Sequence, residues 1–240
     1  MDYTLAIEAS TTTPSTALLR GDDVLGEASW LAARGATQRM FEAMQSLLES
    51  HNVTPEAIDL FAVGLGPGGF TGMRLALSAL QALALPTKQN VMGISSAEAV
   101  AAQVQRDLTP TGRTIVVGDA RRKRLWAGVF CSTEGALKQD GDFSLVPISD
   151  FPKTLRDGDV VASPDRVRLG DELREVVTAP ATLIDADVIP TAADIAHLAR
   201  QRVADGVASE ALEPIYMHPP VFVEPRFSPR TVPPTTLCRG

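Results

Sequence analysis

Residues 64–72 of the chain read G-L-G-P-G-G-F-T-G, and residues 73–85 continue as M-R-L-A-L-S-A-L-Q-A-L-A-L. The apolar run before them, residues 60–63, predicts a strand, and the thirteen residues after them are mostly strong helix formers. Five glycines in nine residues permit positive φ angles and the close approach of other groups. The stretch therefore predicts a strand, a glycine-rich loop and a helix, which is the local unit of an α/β fold.

The glycine-rich loop has two interpretations. Its backbone N–H groups, together with the N-terminus of the next helix, can bind an anion such as a phosphate. It lacks the Lys-Ser or Lys-Thr pair of a P-loop and the spacing of the dinucleotide-binding fingerprint, so a tight turn that only packs helix on sheet is the alternative. If the loop binds phosphate, the candidate residues are Gly66, Gly68, Gly69 and Thr71.

Composition favours a cytoplasmic protein with an aliphatic core. Of the 240 residues, 45% are hydrophobic but only 5% are aromatic, and the net charge is −7. Such a chain repels nucleic acid over most of its surface, so a role on RNA would need a basic groove from another subunit. Two cysteines make no disulfide framework, no apolar run reaches the ~18 residues of a membrane span, and no signal peptide is recognisable.

A pattern of strand, acidic residue, polar turn and strand occurs twice, at Glu8 and at Asp119, which suggests a duplication. The expected domains are residues 1–108, residues 109–217 with a last helix that packs back on the first lobe, and a proline-rich, flexible tail at 218–240. Strands are expected at residues 3–7, 16–19, 24–31, 60–63, 91–94, 114–118, 125–131, 160–161 and 182–184, and helices at 37–50, 55–59, 73–85, 96–105, 171–177 and 191–205.

The two polar turns hold the candidate chemical groups. Paired carboxylates at Glu8 and Asp119 could hold Mg²⁺ through water, while the hydroxyls of Ser10 and Thr11 and the guanidinium of Arg121 suit a phosphate. A solvated hairpin tip is the alternative for the charged turn. No histidine or cysteine pair has metal-ligand spacing and no G-x-S-x-G elbow is present, so neither a metal nor a catalytic set is expected.

Five motifs follow each other along the chain: L-A-I-E-A-S-T, A-T-Q-R-M-F-E-A-M, G-L-G-P-G-G-F-T-G-M-R-L-A-L, V-M-G-I-S-S-A-E-A-V-A and G-D-A-R-R-K-R-L-W-A. In this combination they resemble the TsaB (YeaZ) family, the bacterial accessory proteins of threonylcarbamoyladenosine modification of tRNA. The resemblance implies a duplicated actin-like ATPase fold made of two ribonuclease-H-like halves. Glu8 stands where the family usually has aspartate, which argues against a direct metal role for it.

The resemblance also implies partners. The family's paralogue TsaD carries a metal-binding histidine pair and transfers the threonylcarbamoyl group, the ATPase TsaE joins the pair, and tRNA is met only through the complex. This chain would then be a non-catalytic scaffold without a tightly bound cofactor, with ATP or ADP at the interface with partners, and with homodimers through the same surface when the partner is absent. The expected interface residues are Thr37, Arg39, Met40, Phe41, Met44, Leu47, Phe70 and Arg74.

Two other functions are alternatives to that of a non-catalytic scaffold. The actin-like fold also serves ATP-dependent phosphotransferases, although no convincing general base is found and the chain is short for that class. A glycoprotease-like peptidase is disfavoured, because neither a nucleophile nor a metal set supports it. A phosphotransferase should turn over ATP alone, whereas a scaffold should act only with its partners.

Overall fold

The computed structural model describes residues 2–133, 136–207 and 212–217. Its first lobe is built on a five-stranded sheet in the order β3-β2-β1-β4-β5, in which β1, β2 and β3 are antiparallel neighbours and β4 and β5 run parallel to β1. These strands are β1 (Tyr3–Glu8), β2 (Ser15–Arg20), β3 (Asp23–Ser29), β4 (Ile58–Gly64) and β5 (Asn90–Ile94).

The second lobe repeats this arrangement. Its sheet has the order β11-β10-β6-β7-β8, with β6, β7 and β8 antiparallel and with β10 and β11 parallel to β6, while β9 pairs with the first half of β7. The strands are β6 (Thr114–Asp119), β7 (Arg124–Thr133), β8 (Ala136–Gln139), β9 (Ser144–Pro147), β10 (Val160–Ser163) and β11 (Thr182–Asp187).

The shared strand order confirms the predicted duplication and the two-lobed, actin-like α/β fold. In each lobe a central first strand ends in an acidic residue, Glu8 in β1 and Asp119 in β6, and is followed by an antiparallel hairpin partner and two parallel strands. Parallel neighbours need crossover connections, and helices supply them on the faces of both sheets. The helices are α1 (Ala36–Ser50), α2 (Phe70–Ala84), α3 (Ser96–Leu108), α4 (Arg166–Val176) and α5 (Ala192–Ala204), with 3₁₀ turns at Pro55–Ala57 and Ile148–Thr154.

Helix starts follow the local chemistry of the sequence. The Ser95 side chain accepts a hydrogen bond from the backbone N–H of Glu98 at 3.3 Å, and Thr191 does the same for Asp194 at 3.1 Å. These bonds satisfy amide groups that have no partner inside the helix. The capping residues therefore place α3 and α5 where the sequence predicts them.

Several predicted boundaries are wrong, most of them in the second half of the chain. The helix expected at 171–177 begins earlier, at Arg166, and is kinked at Gly170, whose φ is 58°. The strands β8 and β9 were not predicted, because both are short and have few buried residues. The expected helix at 55–59 is a 3₁₀ turn that ends at Ala57, so Ile58 already belongs to β4. The proline-rich tail from residue 218 lies outside the described residues.

Helix α5 follows the strands of the second lobe in sequence but packs on the first sheet, against β1, β2 and β4. Its buried Ile195 and Ala199 join an aliphatic cluster with Ala6 and Leu60. Small alanine side chains on both surfaces allow the helix to lie close to the sheet. Among the described residues, no helix combines the length and apolarity that crossing a membrane requires.

Candidate functional site

A cleft of about 670 Å³ lies between the two lobes. One wall consists of the β1–β2 turn, the chain before α1 and the N-terminus of α2, and the other consists of the β6–β7 turn and the start of α4. The segment 215–217 completes the lining. The lining includes glycine, hydroxyl-bearing, charged and aromatic residues: Ser10, Thr11, Gly68, Gly69, Phe70, Thr71, Asp119, Arg121, Asp165, Arg168 and Tyr216.

The glycine-rich loop is pressed against the β1–β2 turn. The N–H of Gly69 donates to the carbonyl of Ser10 at 2.6 Å, and a Cβ at Gly68 would overlap that same carbonyl oxygen. A Cβ at Gly72 would likewise overlap the carbonyl oxygen of Ala9. Glycine is therefore required here for close backbone packing, which is the second interpretation drawn from the sequence.

The predicted phosphate-binding residues separate into two groups. All of them line the cleft except Gly66, which is buried, has a φ of 88° and donates its N–H to Ser96 Oγ at 2.9 Å. The expectation that Gly66 offers a free amide to an anion is therefore wrong. Ser10, Thr11 and Thr71 line the wall formed by the first lobe, where the Thr11 hydroxyl also accepts the N–H of Thr13 at 3.2 Å.

Glu8 does not face the cleft. Its side chain is fully buried, where Oε1 accepts the N–H of Ser10 at 2.6 Å and Oε2 accepts the hydroxyl of Ser96 at 2.7 Å. A Cβ at Gly64 would overlap this carboxyl group, so the glycine makes room for it. Burial raises the pKa of Glu8 above its usual value, although these hydrogen bonds act in the opposite direction. The idea of a Glu8–Asp119 pair for Mg²⁺ is therefore wrong, because Glu8 ties three segments of the first lobe together instead.

Asp119 does reach the cleft, but within a network of charges. Its carboxylate accepts the N–H of Arg121 at 2.6 Å and lies 3.2 Å from the guanidinium of Arg168. Arg168 also contacts Asp165 at 2.7 Å, and Asp165 accepts the N–H of Asp119 at 3.0 Å. The wall formed by the second lobe thus balances two carboxylates with two guanidinium groups.

Sequence reasoning missed Asp165 and Arg168. Both lie at the start of α4, directly after the buried end of β10, but the helix was expected to begin only at residue 171. The signal that could have found them is the S-P-D sequence at 163–165, where a proline and an aspartate follow a strand as they commonly do before a helix.

Tyr216 is the other residue of the cleft that sequence reasoning missed, and it lies beside Phe70, which was predicted as an interface residue. The rings of Phe70 and Tyr216 lie 5.2 Å apart, and the guanidinium of Arg74 lies 4.6 Å above the ring of Phe70. Tyr216 reaches this position because the N–H of Ile215 donates to the carbonyl of Leu65 at 2.8 Å. That bond fastens the segment 212–217 along the glycine-rich loop.

The predicted interface on α1 also separates into two groups. Met40 and Met44 are 2% and 3% exposed and belong, with Leu48, to the core beneath the sheet of the first lobe; Leu47 is also buried. The idea that these methionines present a free edge to a partner is therefore wrong. Of the predicted interface residues on this helix, Thr37, Arg39 and Phe41 are exposed, and Phe41 is 47% exposed.

The cleft suits an anionic group better than a metal ion. On the wall of the first lobe the polar groups are hydroxyls and backbone amides, and on the other wall each carboxylate already pairs with Arg168. Within residues 2–133, 136–207 and 212–217, no group of three or more His, Cys, Asp or Glu side chains is arranged to hold a metal ion. The predicted phosphate-binding side chains that line the cleft and can donate a hydrogen bond to an anion are those of Ser10, Thr11, Thr71 and Arg121.

Comparison with known proteins gives consistent results. The sequence model of the family described as "TsaD: tRNA N6-adenosine threonylcarbamoyltransferase" matches residues 30–140. The chain is 29% identical over 155 residues to the tRNA threonylcarbamoyladenosine biosynthesis protein TsaB of Bacillus subtilis, a match that covers 65% of this chain but only 66% of that protein. An uncharacterized protein of Mycobacterium tuberculosis is 31% identical, with 53% of this chain and 58% of that protein covered.

Two comparisons extend over nearly the whole chain. A solved structure described as YeaZ from Pseudomonas aeruginosa superposes with a TM-score of 0.74 at 27% identity, covering 90% of this chain and all of that one. The TsaB protein of Escherichia coli is 31% identical over 227 residues, which is 89% of this chain and 93% of that protein. Because this identity runs through both lobes, the chain belongs to the TsaB (YeaZ) family of tRNA threonylcarbamoyladenosine biosynthesis proteins.

Proposed function

We propose that this chain is an accessory subunit in threonylcarbamoyladenosine biosynthesis on tRNA, and that it supports a TsaD homologue without performing chemistry itself. The observation that carries the proposal is the 31% identity with Escherichia coli TsaB across 89% of the chain. The match of residues 30–140 to the TsaD family supports kinship with that partner. Related subunits with a shared fold often associate through equivalent surfaces.

The charges of the cleft support a role without catalysis. A general base needs a carboxylate or imidazole that is free to take a proton from a substrate. Asp119 and Asp165 are instead each held by the guanidinium of Arg168, and Glu8 is buried away from the cleft. An ATP-dependent phosphotransferase would therefore lack an available base at this site.

The exposed face of α1 supports docking of the partner. Phe41 presents nearly half of its surface to solvent beside the polar residues Thr37 and Arg39. Aromatic and arginine side chains are enriched at the centres of protein interfaces. We place the contact with the TsaD homologue there. TsaE would join this pair, and ATP or ADP would bind at the shared interface rather than tightly to this chain alone.

The test is reconstitution with the TsaD homologue of the same organism. Threonylcarbamoyladenosine formation should need both proteins, and this chain alone should neither hydrolyse ATP nor transfer its phosphate. Phe41→Asp should weaken association at least tenfold, because the new charge loses water on binding without gaining a partner. Leu85→Asp is the matched control, since Leu85 is 77% exposed at the end of α2.

Two results would contradict the accessory role, and a third would contradict only the interface on α1. The first is full modification activity of the partner without this chain, and the second is ATP turnover by this chain alone. The third is equal association of the Phe41→Asp and Leu85→Asp variants, which would leave the accessory role intact but remove the interface on α1.

A further inference from the structure

Two exposed aromatic rings line the cleft between the lobes. Phe70 is 51% exposed and Tyr216 is 46% exposed, and their rings lie 5.2 Å apart at an angle of 37°. The guanidinium of Arg74 lies on the ring of Phe70 at 4.6 Å and so supports its orientation. Aromatic surface that is held in place yet left open to solvent is suited to stacking with another flat ring.

The turn between β6 and β7 carries three successive cations, and the first of them, Arg121, lines the same cleft. The residues Arg121, Arg122 and Lys123 have φ angles of 66°, 53° and 56°, so three successive residues other than glycine adopt the left-handed conformation. Residues with a Cβ rarely do so even singly, and such strain tends to occur at functional sites. All three side chains are exposed at the turn between β6 and β7.

Hydrogen bonds hold this turn in its strained form. The N–H of Arg121 donates to Asp119 at 2.6 Å, and the carbonyl of Lys123 accepts the N–H of Ile148 at 3.0 Å. Within the described residues, the side chains of Arg122 and Lys123 have neither a hydrogen bond nor an ion pair. The fold therefore fixes the backbone of the turn while leaving its charges available.

We propose that this cleft binds an unpaired nucleotide of the tRNA substrate, with its base on Phe70 and Tyr216 and the adjoining phosphates on Arg121, Arg122 and Lys123. The inference rests on the proposed function and replaces the expectation that tRNA contacts only the partner. Stacking on aromatic side chains combined with cations along the backbone is how proteins hold single-stranded nucleic acid.

Two further features favour RNA over an acidic segment of a protein. An acidic segment would use the cations but would leave the aromatic pair without a role. The chain carries a net charge of −7, so its surface on balance repels RNA, and a bound strand needs a local cluster of cations such as this turn. The cleft volume of about 670 Å³ lies in the range of sites that hold ligands of nucleotide size.

The test measures binding of a fluorescently labelled, unmodified tRNA anticodon stem-loop by anisotropy over a salt series. It uses both the complex with the TsaD homologue and this chain alone, so that failure to form the complex does not prevent the measurement. The double variant Arg122→Gln/Lys123→Gln keeps polar side chains in the turn but removes their charges. Its matched control is Lys138→Gln/Arg156→Gln, which removes the same charge from exposed positions elsewhere.

The turn variant should bind the RNA about fivefold more weakly at 0.1 M salt for each phosphate that the turn no longer neutralises. Its affinity should also depend less steeply on salt, while the control retains its affinity. Phe70→Leu, which keeps an apolar side chain but cannot stack, should lower the affinity at least fivefold while the salt dependence is unchanged. Association with the TsaD homologue should be the same for the wild type and the turn variant.

Three outcomes would overturn the inference. The first is equal RNA affinity of the turn variant and its control, and the second is undetectable RNA binding by the wild type in both forms. The third is loss of association with the partner at unchanged RNA affinity, which would show that the turn docks on an acidic protein surface. None of these results depends on whether the chain is needed for modification activity, so the two proposals are tested separately.

Discussion

Substitution of Glu8 tests whether its buried carboxyl group stabilises the first lobe. The Glu8→Ala variant removes acceptors for the N–H of Ser10 and the hydroxyl of Ser96, which bind at 2.6 and 2.7 Å. A buried donor left without a partner costs about 1–3 kcal/mol. The Ser96 hydroxyl still accepts the N–H of Gly66, so that bond is kept. The two donors that lose their acceptor, together with the cavity that the removed side chain leaves, should lower the free energy of unfolding by about 3–5 kcal/mol in total.

The Glu8→Gln variant separates charge from shape. Its side-chain oxygen can still accept the N–H of Ser10, so it should be much more stable than the Glu8→Ala variant. Because burial raises the pKa of Glu8, the folded wild type binds the proton more tightly than the unfolded chain. The stability from this group is therefore fully present below the unfolded pKa, near 4.5, and is lost as pH rises through the higher folded pKa.

The assay is urea unfolding of the wild type and the Glu8→Gln variant between about pH 4 and pH 8. The difference in unfolding free energy should shift in favour of the glutamine variant as pH rises above 4.5, since groups common to both proteins cancel. Glu175→Gln, which changes an exposed carboxylate on α4, is the matched control and should show no such trend. A constant difference between the wild type and the Glu8→Gln variant over this pH range would refute the argument.

Three further predictions concern the core, the cleft and metal content. Met44→Ala should lower the free energy of unfolding by about 2–5 kcal/mol in chemical denaturation, because Met44 is 3% exposed in the core of the first lobe; a loss below about 0.5 kcal/mol would contradict its assignment to that core. Arg121→Ala should leave the thermal midpoint nearly unchanged, because the Arg121 side chain is 76% exposed and lies 3.8 Å from Asp119. The same variant should reduce threonylcarbamoyladenosine formation in the reconstituted system. Full activity of the variant at limiting concentration would show that Arg121 is only a surface charge. Elemental analysis of the purified protein should find no stoichiometric zinc or iron, and one tightly bound transition metal per chain would overturn this expectation.

Local patterns in the sequence were sufficient to predict much of the first lobe. Hydrophobic periodicity and capping residues depend on neighbours within a few positions, so they located β1, α1, α2 and the start of α3 to within a few residues. The recurrence of an acidic residue at the end of a strand, at Glu8 and Asp119, suggested the duplication, which the shared strand order of the two sheets confirms. The second lobe was predicted less well, because β8, β9 and the first turn of α4 have weak patterns of their own and depend on contacts with distant strands.

The candidate site depended on tertiary structure to a greater extent. A stripe of apolar residues on α1 is compatible with either a core or an interface, and only packing against the sheet assigned Met40 and Met44 to the core. Sequence spacing made Glu8 and Asp119 equivalent, but one is buried between segments and the other lines the cleft. Burial depends on residues far away in the chain, such as Ser96 beside Glu8.

The sequence by itself therefore determined most elements of the first lobe and the family, since these depend on short-range patterns and on motifs that keep their order. Tertiary structure alone decided which of the predicted groups share the cleft. It brought Tyr216 beside Phe70 and Arg168 beside Asp119, pairs separated by many residues along the chain. The physical reason is that a site depends on distances between side chains in space, and these distances are set by the packing of whole elements rather than by any local stretch of sequence.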